Sequence, residues 1–312
     1  MNNIQATPYQ AHWLHTGDGT WRQSNCYVDL WIEVLHSLSL NPVASFAFTP
    51  TVDFEGDQWT FFKVPLHDLL LLYGIDVQEL NIWQSLLDHV VTQTNRNRLV
   101  LLEVDAFYLP DVSDTSYQQA HEKTTIGIQM VDPTERVLGY FHNSGYHTLH
   151  AGDFDGVFHV TALPPYAEYA KLDTVTKRTE GELIELATQL FAAHLSRCPK
   201  TNPFIAYSQQ FQQYVAAEHD LASFHQYAFA TMRQYGACYE YAALFLRWLK
   251  EYKGRDMSAA ADHFTSISDA TQILLLKTAR FVKTRKPFDY LALLNAMQAD
   301  WEQVMELMVS RC

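Results

Sequence analysis

Cys26 is the residue whose type and position best suit chemistry, because a helix is predicted to begin there. Ser24 or Asn25 supplies the N-cap. Unpaired backbone N–H groups at a helix N-terminus favour an anion, so a thiol placed there is enriched in the nucleophilic thiolate. The same N–H groups can stabilise an oxyanion. The sequence therefore predicts Cys26 as a catalytic nucleophile. The apolar residues that follow it recur at helical spacing: Leu30, Trp31, Val34, Leu35 and Leu38.

The alternative interpretation of Cys26 is structural, because free cysteine is among the most buried residue types. Cys238 lies in a strongly apolar helical segment and is predicted to be in the core. Cys198 and Cys312 lie at segment ends without a supporting group of residues. The four cysteines form no CxxC pair, which argues against a disulfide framework and a zinc ribbon and favours a reducing cytoplasm.

A cysteine nucleophile needs a base, and the base needs a group that orients it. His121 stands just before a predicted strand at 123–132, and Asn143 ends a second predicted strand at 136–143. A hairpin brings the start of the first strand near the end of the second. The predicted catalytic set is therefore Cys26 as nucleophile, His121 as base and Asn143 as the residue that fixes the imidazole tautomer.

Other histidines compete for the role of base. His142 and His147 lie close to the same strand ends, and the chain has 14 histidines in all. Together with His150 these two suggest a metal site, but their spacing matches no standard ligand set, so no metal and no bound cofactor are predicted. Asn143 is alternatively the first residue of a turn with the sequence Asn-Ser-Gly.

The charge of −13 is concentrated in one half of the chain. Residues 1–170 carry 6 Lys and Arg against 20 Asp and Glu, and residues 171–312 carry 16 against 15. An acidic half repels a phosphate backbone, so nucleic acid binding is not expected. The asymmetry supports two domains, an α+β domain at 1–168 and a helical domain at 169–312.

The pattern of predicted elements gives the same division. The first half mixes strands with helices, and the second half is almost wholly helical, which predicts an α+β domain followed by an all-helical domain. The strands are predicted at 43–50, 58–65, 98–105, 123–132 and 136–143. The helices are predicted at 26–40, 66–73, 83–94, 181–195, 239–252, 269–282 and 289–309.

No membrane or export segment is predicted. The chain has no run of about eighteen apolar residues. Its first residues lack the basic and apolar regions of a signal peptide. With the free cysteines, this predicts a cytoplasmic protein that does not bind membranes.

One segment resembles a known family. Residues 99–132 are similar to the N-terminal domain of the butirosin-biosynthesis acyltransferase family, which has a papain-like, C39-peptidase-like cysteine fold. The segments NCYVDLW, DFEGDQWTFFK and YFHNSGYH resemble an uncharacterised bacterial family, often encoded near amino acid:carrier-protein ligases. The residues that carry the first resemblance are Asp105, Phe107, Tyr108, Leu109, Pro110, Tyr117 and His121.

The resemblance implies an acyltransferase of secondary metabolism. Cys26 would attack a thioester on the phosphopantetheine arm of a carrier protein, and His121 would move protons as the acyl group passes to an amine or hydroxyl acceptor. The alternatives are a cysteine hydrolase on the same fold (a peptidase, amidase or thioesterase) and a non-catalytic binding module. A set of basic residues is a candidate docking surface for an acidic carrier protein, or simply a solvated helix end: Lys277, Arg280, Lys283, Arg285 and Lys286.

Overall fold

The computed structural model describes residues 9–159 and 164–309 and divides the chain into two compact units. The first, the sheet unit, contains the chain up to Gly17, Asn25–Pro42 and Leu66–Lys177. The second, the helical unit, contains Asp18–Ser24, Val43–Pro65 and the chain from Arg178 onward. Two segments that precede the predicted boundary after residue 168 thus pack with the helices of the second unit.

An antiparallel six-stranded sheet forms the centre of the sheet unit. Along it the strands follow the order β1-β6-β2-β3-β4-β5. The predicted α+β class is therefore confirmed. The strands are β1 (Asp76–Glu79), β2 (Arg98–Asp105), β3 (Lys123–Asp132), β4 (Val137–His142), β5 (Gly145–His150) and β6 (Ala167–Lys171). The helices of this unit are α1 (Trp13–Thr16), α2 (Cys26–Ser37), α3 (Leu66–Tyr73), α4 (Leu86–Thr94) and α5 (Ala151–Phe158).

The two faces of the sheet carry different helices. Helices α4 and α5 pack on the face that holds Val100, Ile126 and Tyr140. Helix α2 packs on the other face, against β3, β4 and β5. There Leu30 lies over Gly127, so closely that a Cβ at Gly127 would be 3.3 Å from Leu30 Cδ1. Side chains alternate between faces along a strand, so this contact fixes which residues of β2 and β3 face α2.

Helices and one short hairpin form the helical unit. Helix α9 packs against α8 and α10, and α10 packs against α11. Buried aromatic rings fill its interior, and Trp59 contacts Tyr207 and Tyr235 at centroid distances of 5.4 and 4.5 Å. The elements are α6 (Glu180–Leu195), α7 (Pro203–Ala216), α8 (Leu221–Ala230), α9 (Met232–Leu249), β7 (Glu251–Tyr252), β8 (Arg255–Asp256), α10 (Ser258–Thr284) and α11 (Tyr290–Val309).

Two predicted strands are wrong, and both lie in the helical unit. The apolar run at 43–50 forms a 3-10 helix, Pro42–Thr51, in which Phe46 stacks on Tyr241 at 4.5 Å. The run at 58–65 forms no strand and contributes only an isolated bridge at Trp59. A short continuous apolar run suits a buried strand or a buried helical turn equally well, and tertiary packing decided between them.

Three strands have no counterpart in the predictions. They are β1, β5 and β6, whose sequences DVQE, GYHTLH and AEYAK are short and mostly polar or small. Strands β2 and β3 have the bounds predicted for them. No helix within residues 9–159 and 164–309 has the length and apolar character needed to cross a membrane.

Candidate active site

Cys26 is the first residue of α2, as predicted, and its side chain is half-buried. The other described cysteines differ from it. Cys238 is fully buried, and burial raises the pKa of its thiol far above the ordinary value. Cys198 is half-buried, and burial raises the pKa of its thiol as well. Of the three, Cys26 alone combines partial exposure with a helix N-terminus.

Asn25 caps the helix that Cys26 begins. Its side-chain oxygen accepts hydrogen bonds from the backbone N–H groups of Tyr27 at 3.2 Å and Val28 at 3.0 Å. These two donors satisfy the cap and are not free to bind a substrate oxygen. An oxyanion at Cys26 therefore needs another donor or a rearrangement of the cap.

His121 lies just before β3 and is oriented by a carboxylate. Its Nδ1 is 2.6 Å from Asp105 Oδ2, and its ring stacks on Phe107 at a centroid distance of 4.5 Å. The side chain is 70% exposed. A carboxylate on one ring nitrogen fixes the tautomer and leaves the other nitrogen to accept a proton. An imidazole held in this way can act as a general base.

The His121–Asp105 pair lies on the face of the sheet that α2 covers. The backbone N–H of Ala106 donates to the carbonyl of Glu122 at 2.8 Å, so β2 and β3 remain paired up to the histidine. Lys123 Nζ lies 2.8 Å from Glu103 Oε1, which puts these two side chains on one face. Residues 101, 103 and 105 alternate with the core residues Val100, Leu102 and Val104, and residues 121, 123, 125 and 127 share a face in the same way.

A cleft opens beside the His121–Asp105 pair, where β2 ends and β3 begins. It has a volume of about 670 Å³, within the range of small-molecule sites. We call it the β2–β3 cleft. Both members of the His121–Asp105 pair line it. The described residues that line it are Leu86, Glu103, Val104, Asp105, Tyr108, His121, Glu122, Lys123, Gly156, Val157, His159 and Pro165.

His142, an alternative base, is a buried residue on the opposite face. Its Nδ1 is 2.6 Å from Asp111 Oδ2, and its Nε2 is 2.8 Å from Thr124 Oγ1. The hydroxyl of Tyr140 donates to the other oxygen of Asp111 at 2.5 Å. Burial alone would raise the pKa of Asp111, but the hydrogen bond and charge of His142 outweigh it and lower that pKa. Both ring nitrogens of His142 are occupied.

His147, the second alternative, is also on the face away from α2, because it pairs directly with Tyr140. Burial lowers the pKa of its imidazole. Its Nε2 is 3.9 Å from Asp111 Oδ2, and its side chain is 34% exposed. His121 is thus the candidate base that shares a face with α2.

Asn143 occupies the turn between β4 and β5. Its backbone has a φ of +47°, the left-handed region that asparagine tolerates better than most residues. The hairpin does bring this turn to the same edge of the sheet as the start of β3. Within the described residues, no hydrogen bond joins Asn143 to His121, and none joins Cys26 to either.

Asp105 holds the position at His121 that was predicted for Asn143. The sequence contained the information needed to consider Asp105 as the partner of His121, since Asp105 ends the predicted strand 98–105. An antiparallel pairing of this strand with 123–132 places Asp105 beside Lys123 and within reach of His121. The prediction paired the histidine's strand with the following strand and not with the preceding one.

No group of three or more His, Cys, Asp or Glu side chains suited to hold a metal occurs within residues 9–159 and 164–309. His142 and His147 approach the same carboxylate, that of Asp111.

Comparison with known families gives two matches that together cover most of the chain. The model of the DUF1839 N-terminal domain matches residues 10–172, and the model of the DUF1839 C-terminal domain matches residues 180–310. The chain belongs to the DUF1839 family. Its Cys26 and its His121–Asp105 pair both fall in the DUF1839 N-terminal domain. A search of the curated proteins finds no match.

Proposed function

We propose that this member of the DUF1839 family is a cysteine-dependent acyltransferase with Cys26 as nucleophile, His121 as base and Asp105 as the group that orients the base. The observation that supports it is the placement of the His121–Asp105 pair on the face of the sheet covered by α2, the helix that begins at Cys26. His142 and His147 lie on the other face, so His121 is the histidine that this arrangement favours.

The reaction proceeds in two steps. The Cys26 thiolate attacks the carbonyl carbon of a thioester on a phosphopantetheine arm, the new C–S bond forms, and the C–S bond to the arm breaks. His121, which takes the proton of the Cys26 thiol to form this thiolate, passes it to the departing thiolate of the arm. In the second step His121 takes a proton from the acceptor, which then attacks the acyl-enzyme and releases Cys26. Proton transfer in each step needs Cys26 Sγ close to His121 Nε2.

The fold is consistent with a papain-like arrangement, in which a helix starting at cysteine packs against an antiparallel sheet that carries the histidine. The likeness of residues 99–132 to the butirosin-biosynthesis acyltransferase family supports the same proposal. It also suggests a carrier protein as the donor, with the basic side chains of α10 as one docking surface. A thioester needs less leaving-group assistance than an amide, so acyl transfer demands less of the base than proteolysis does.

The test is turnover of an acylated carrier protein by the wild type and two variants. Wild-type protein is expected to form an acyl-enzyme detectable by intact mass, with the acyl group on the peptide that contains Cys26. Cys26→Ala is expected to abolish both the adduct and turnover. Cys198→Ala is the matched control, since Cys198 is also a half-buried cysteine and lies outside the proposed site. Its turnover is expected to equal that of wild type.

Adding acceptors distinguishes the competing functions. A product that forms only when an amine or alcohol is present supports acyl transfer. Release of free acid without an acceptor identifies a hydrolase on the same site. Full turnover by Cys26→Ala overturns the nucleophile, and absence of any adduct or turnover with wild type favours a binding module.

A further inference from the structure

The β2–β3 cleft has apolar walls and a charged rim. Leu86, Val104 and Val157 supply aliphatic surface, and the ring of Tyr108 packs directly on the backbone of Gly156. A Cβ added at Gly156 would lie 2.1 Å from Tyr108 Cδ1, so the close approach requires glycine there. The ring is thereby held as a wall of the cleft. Such a surface suits the carbon skeleton of a small ligand.

The charge of the cleft is negative. Among the described residues, three carboxylates line it, those of Glu103, Asp105 and Glu122, together with a single lysine, Lys123. Lys123 is paired with Glu103, so its charge is already compensated. Asp105 faces an imidazole, and among the described residues the side chain of Glu122 accepts only from the neutral hydroxyl of Ser116 at 2.6 Å. A cleft lined mainly by one sign of charge concentrates ligands of the opposite sign.

We infer that the β2–β3 cleft binds an organic cation with a primary amine, and that this amine is the acyl acceptor. The binding site stands on the cleft and its charges alone, whereas the acceptor role rests on the proposed function. Glu122 is the residue that attracts the ammonium group. The choice of amine over hydroxyl follows from the uncompensated carboxylate, which favours a charged ligand over a neutral alcohol.

The placement of His121 in the same cleft connects binding to transfer. One ammonium proton passes to His121 Nε2, which makes the amine nucleophilic. The nitrogen lone pair attacks the carbonyl carbon of the Cys26 thioester, the C–N bond forms and the C–S bond breaks. A second proton leaves the new amide nitrogen for the departing Cys26 thiolate, and His121 returns its proton to solvent. The thiol and the neutral imidazole are restored.

Isothermal titration calorimetry on the full chain tests the binding site. The probes are 1,4-diaminobutane, 1,4-butanediol and succinate, which have similar chain lengths and differ in charge. The diamine is expected to bind at least about tenfold more tightly than the diol or succinate, since a charge-assisted hydrogen bond replaces a neutral or repulsive contact. Equal affinity for diamine and diol, or absence of diamine binding, overturns the inference.

Two matched variants locate the site. Glu122→Gln keeps an acceptor for Ser116 but removes the charge, and is expected to weaken diamine binding at least about fivefold. Glu135→Gln makes the same change in the exposed β3–β4 turn, at the other end of these strands, and is expected to change affinity less than about twofold. If both variants lost diamine affinity equally, the effect would come from the overall charge of the protein, and the assignment of the cation site to the β2–β3 cleft would be overturned.

Cys26→Ala separates this inference from the proposed function. The variant is expected to bind the diamine as wild type does, because Cys26 does not line the cleft. Diamine binding without any acyl transfer would leave the cation site standing and remove its acceptor role. Acyl transfer to alcohols but not to the diamine would remove that role while leaving Cys26 as the nucleophile.

Discussion

Two imidazole–carboxylate pairs lie on opposite faces of one sheet and share one geometry. The nitrogen–oxygen distance is 2.6 Å in both the His121–Asp105 and the His142–Asp111 pair. They differ in exposure, since the side chain of His121 is 70% exposed and that of His142 is 1% exposed. They differ also at the second ring nitrogen, which in His142 bonds to Thr124. Pair geometry alone therefore does not decide the role of a histidine.

Burial and the contacts of the second ring nitrogen distinguish the two pairs. Since His142 is bonded at both nitrogens and surrounded by core residues, it joins β4 to β3 and to the segment that contains Asp111. His121 has one nitrogen held by a carboxylate and borders an open cleft, which is what proton transfer to a substrate requires. The comparison predicts that one pair serves catalysis and the other serves stability.

The largest expected effect is on turnover. Under the proposed function, His121→Ala is expected to lower acyl transfer by about 10²–10⁴-fold, the usual contribution of a general base. The measurement is single-turnover transfer from an acylated carrier protein. Its control is His150→Ala, an exposed histidine at the end of β5, which is expected to keep wild-type activity. A His121→Ala variant that turns over normally would remove this histidine from the mechanism.

The next largest effect is on stability, and here we expect the substitution of His142 to matter more than that of His121. His142→Ala leaves the Asp111 carboxylate buried beside Tyr140 without its imidazole, so we expect unfolding free energy to fall by about 3 kcal/mol. His121→Ala changes an exposed side chain and is expected to lower the free energy of unfolding by less than about 0.5 kcal/mol. Urea unfolding followed by circular dichroism measures both. Equal losses would show that the exposed pair is also structural.

A third histidine, His15, also lies beside carboxylates, and it extends the comparison to the pH dependence of stability. His15 is buried with Nδ1 paired to Glu33 and with Nε2 3.5 Å from Asp29 Oδ1, both on α2. Tyr9 and the backbone N–H of His12 also donate to Glu33. Burial alone would lower the pKa of His15, but hydrogen bonds and charges from Asp29 and Glu33 raise it to about 9.

The sign of the pH effect follows from the raised pKa. The ordinary value is 6.5, so the charged His15 contributes its full stabilisation below that pH and loses it as pH rises through about 9. At pH 6 we expect the free energy of unfolding of wild type to be about 1–3 kcal/mol larger than that of His15→Gln. This difference is expected to shrink toward pH 10. Urea unfolding of both proteins across this range is the measurement. A difference that grows with pH would contradict a buried imidazolium.

The smallest effect concerns Asn143. Its φ of +47° is strained for most residues. We therefore expect Asn143→Ala to lower the free energy of unfolding by about 1 kcal/mol and Asn143→Gly to lower it much less. Neither is expected to lower acyl transfer, because Asp105 orients His121. Thermal unfolding and single-turnover transfer are the two measurements. A loss of activity in both variants without a loss of stability would restore Asn143 as the orienting residue.

Local patterns in the sequence were enough for much of the sheet unit. The apolar spacing after Cys26 and the asparagine before it predicted the start of α2. Strands β2 and β3 were predicted at their observed bounds, because both are long and rich in β-branched and apolar residues. Strands β1, β5 and β6 were not predicted, since their short polar sequences become strands only by pairing with a neighbour already in place.

The partner of His121 shows where local patterns stop. Asp105 ends β2 and Asn143 directly follows β4, the two strands next to β3, and each is a reasonable orienting group. Sequence spacing does not give the register of β2 against β3, and register decides which side chains meet. The structure pairs Asp105 with Lys123 and brings its carboxylate to His121.

By itself the sequence determined the α+β class, the position of Cys26 at a helix start and the acidic character of the first half, because these depend on composition and on residues close in the chain. The tertiary structure decided that His121 and His142 lie on opposite faces, that the apolar run at 43–50 is a 3-10 helix, and that three carboxylates line one cleft. Each of these depends on contacts between residues far apart in sequence, whose formation is governed by packing and strand register.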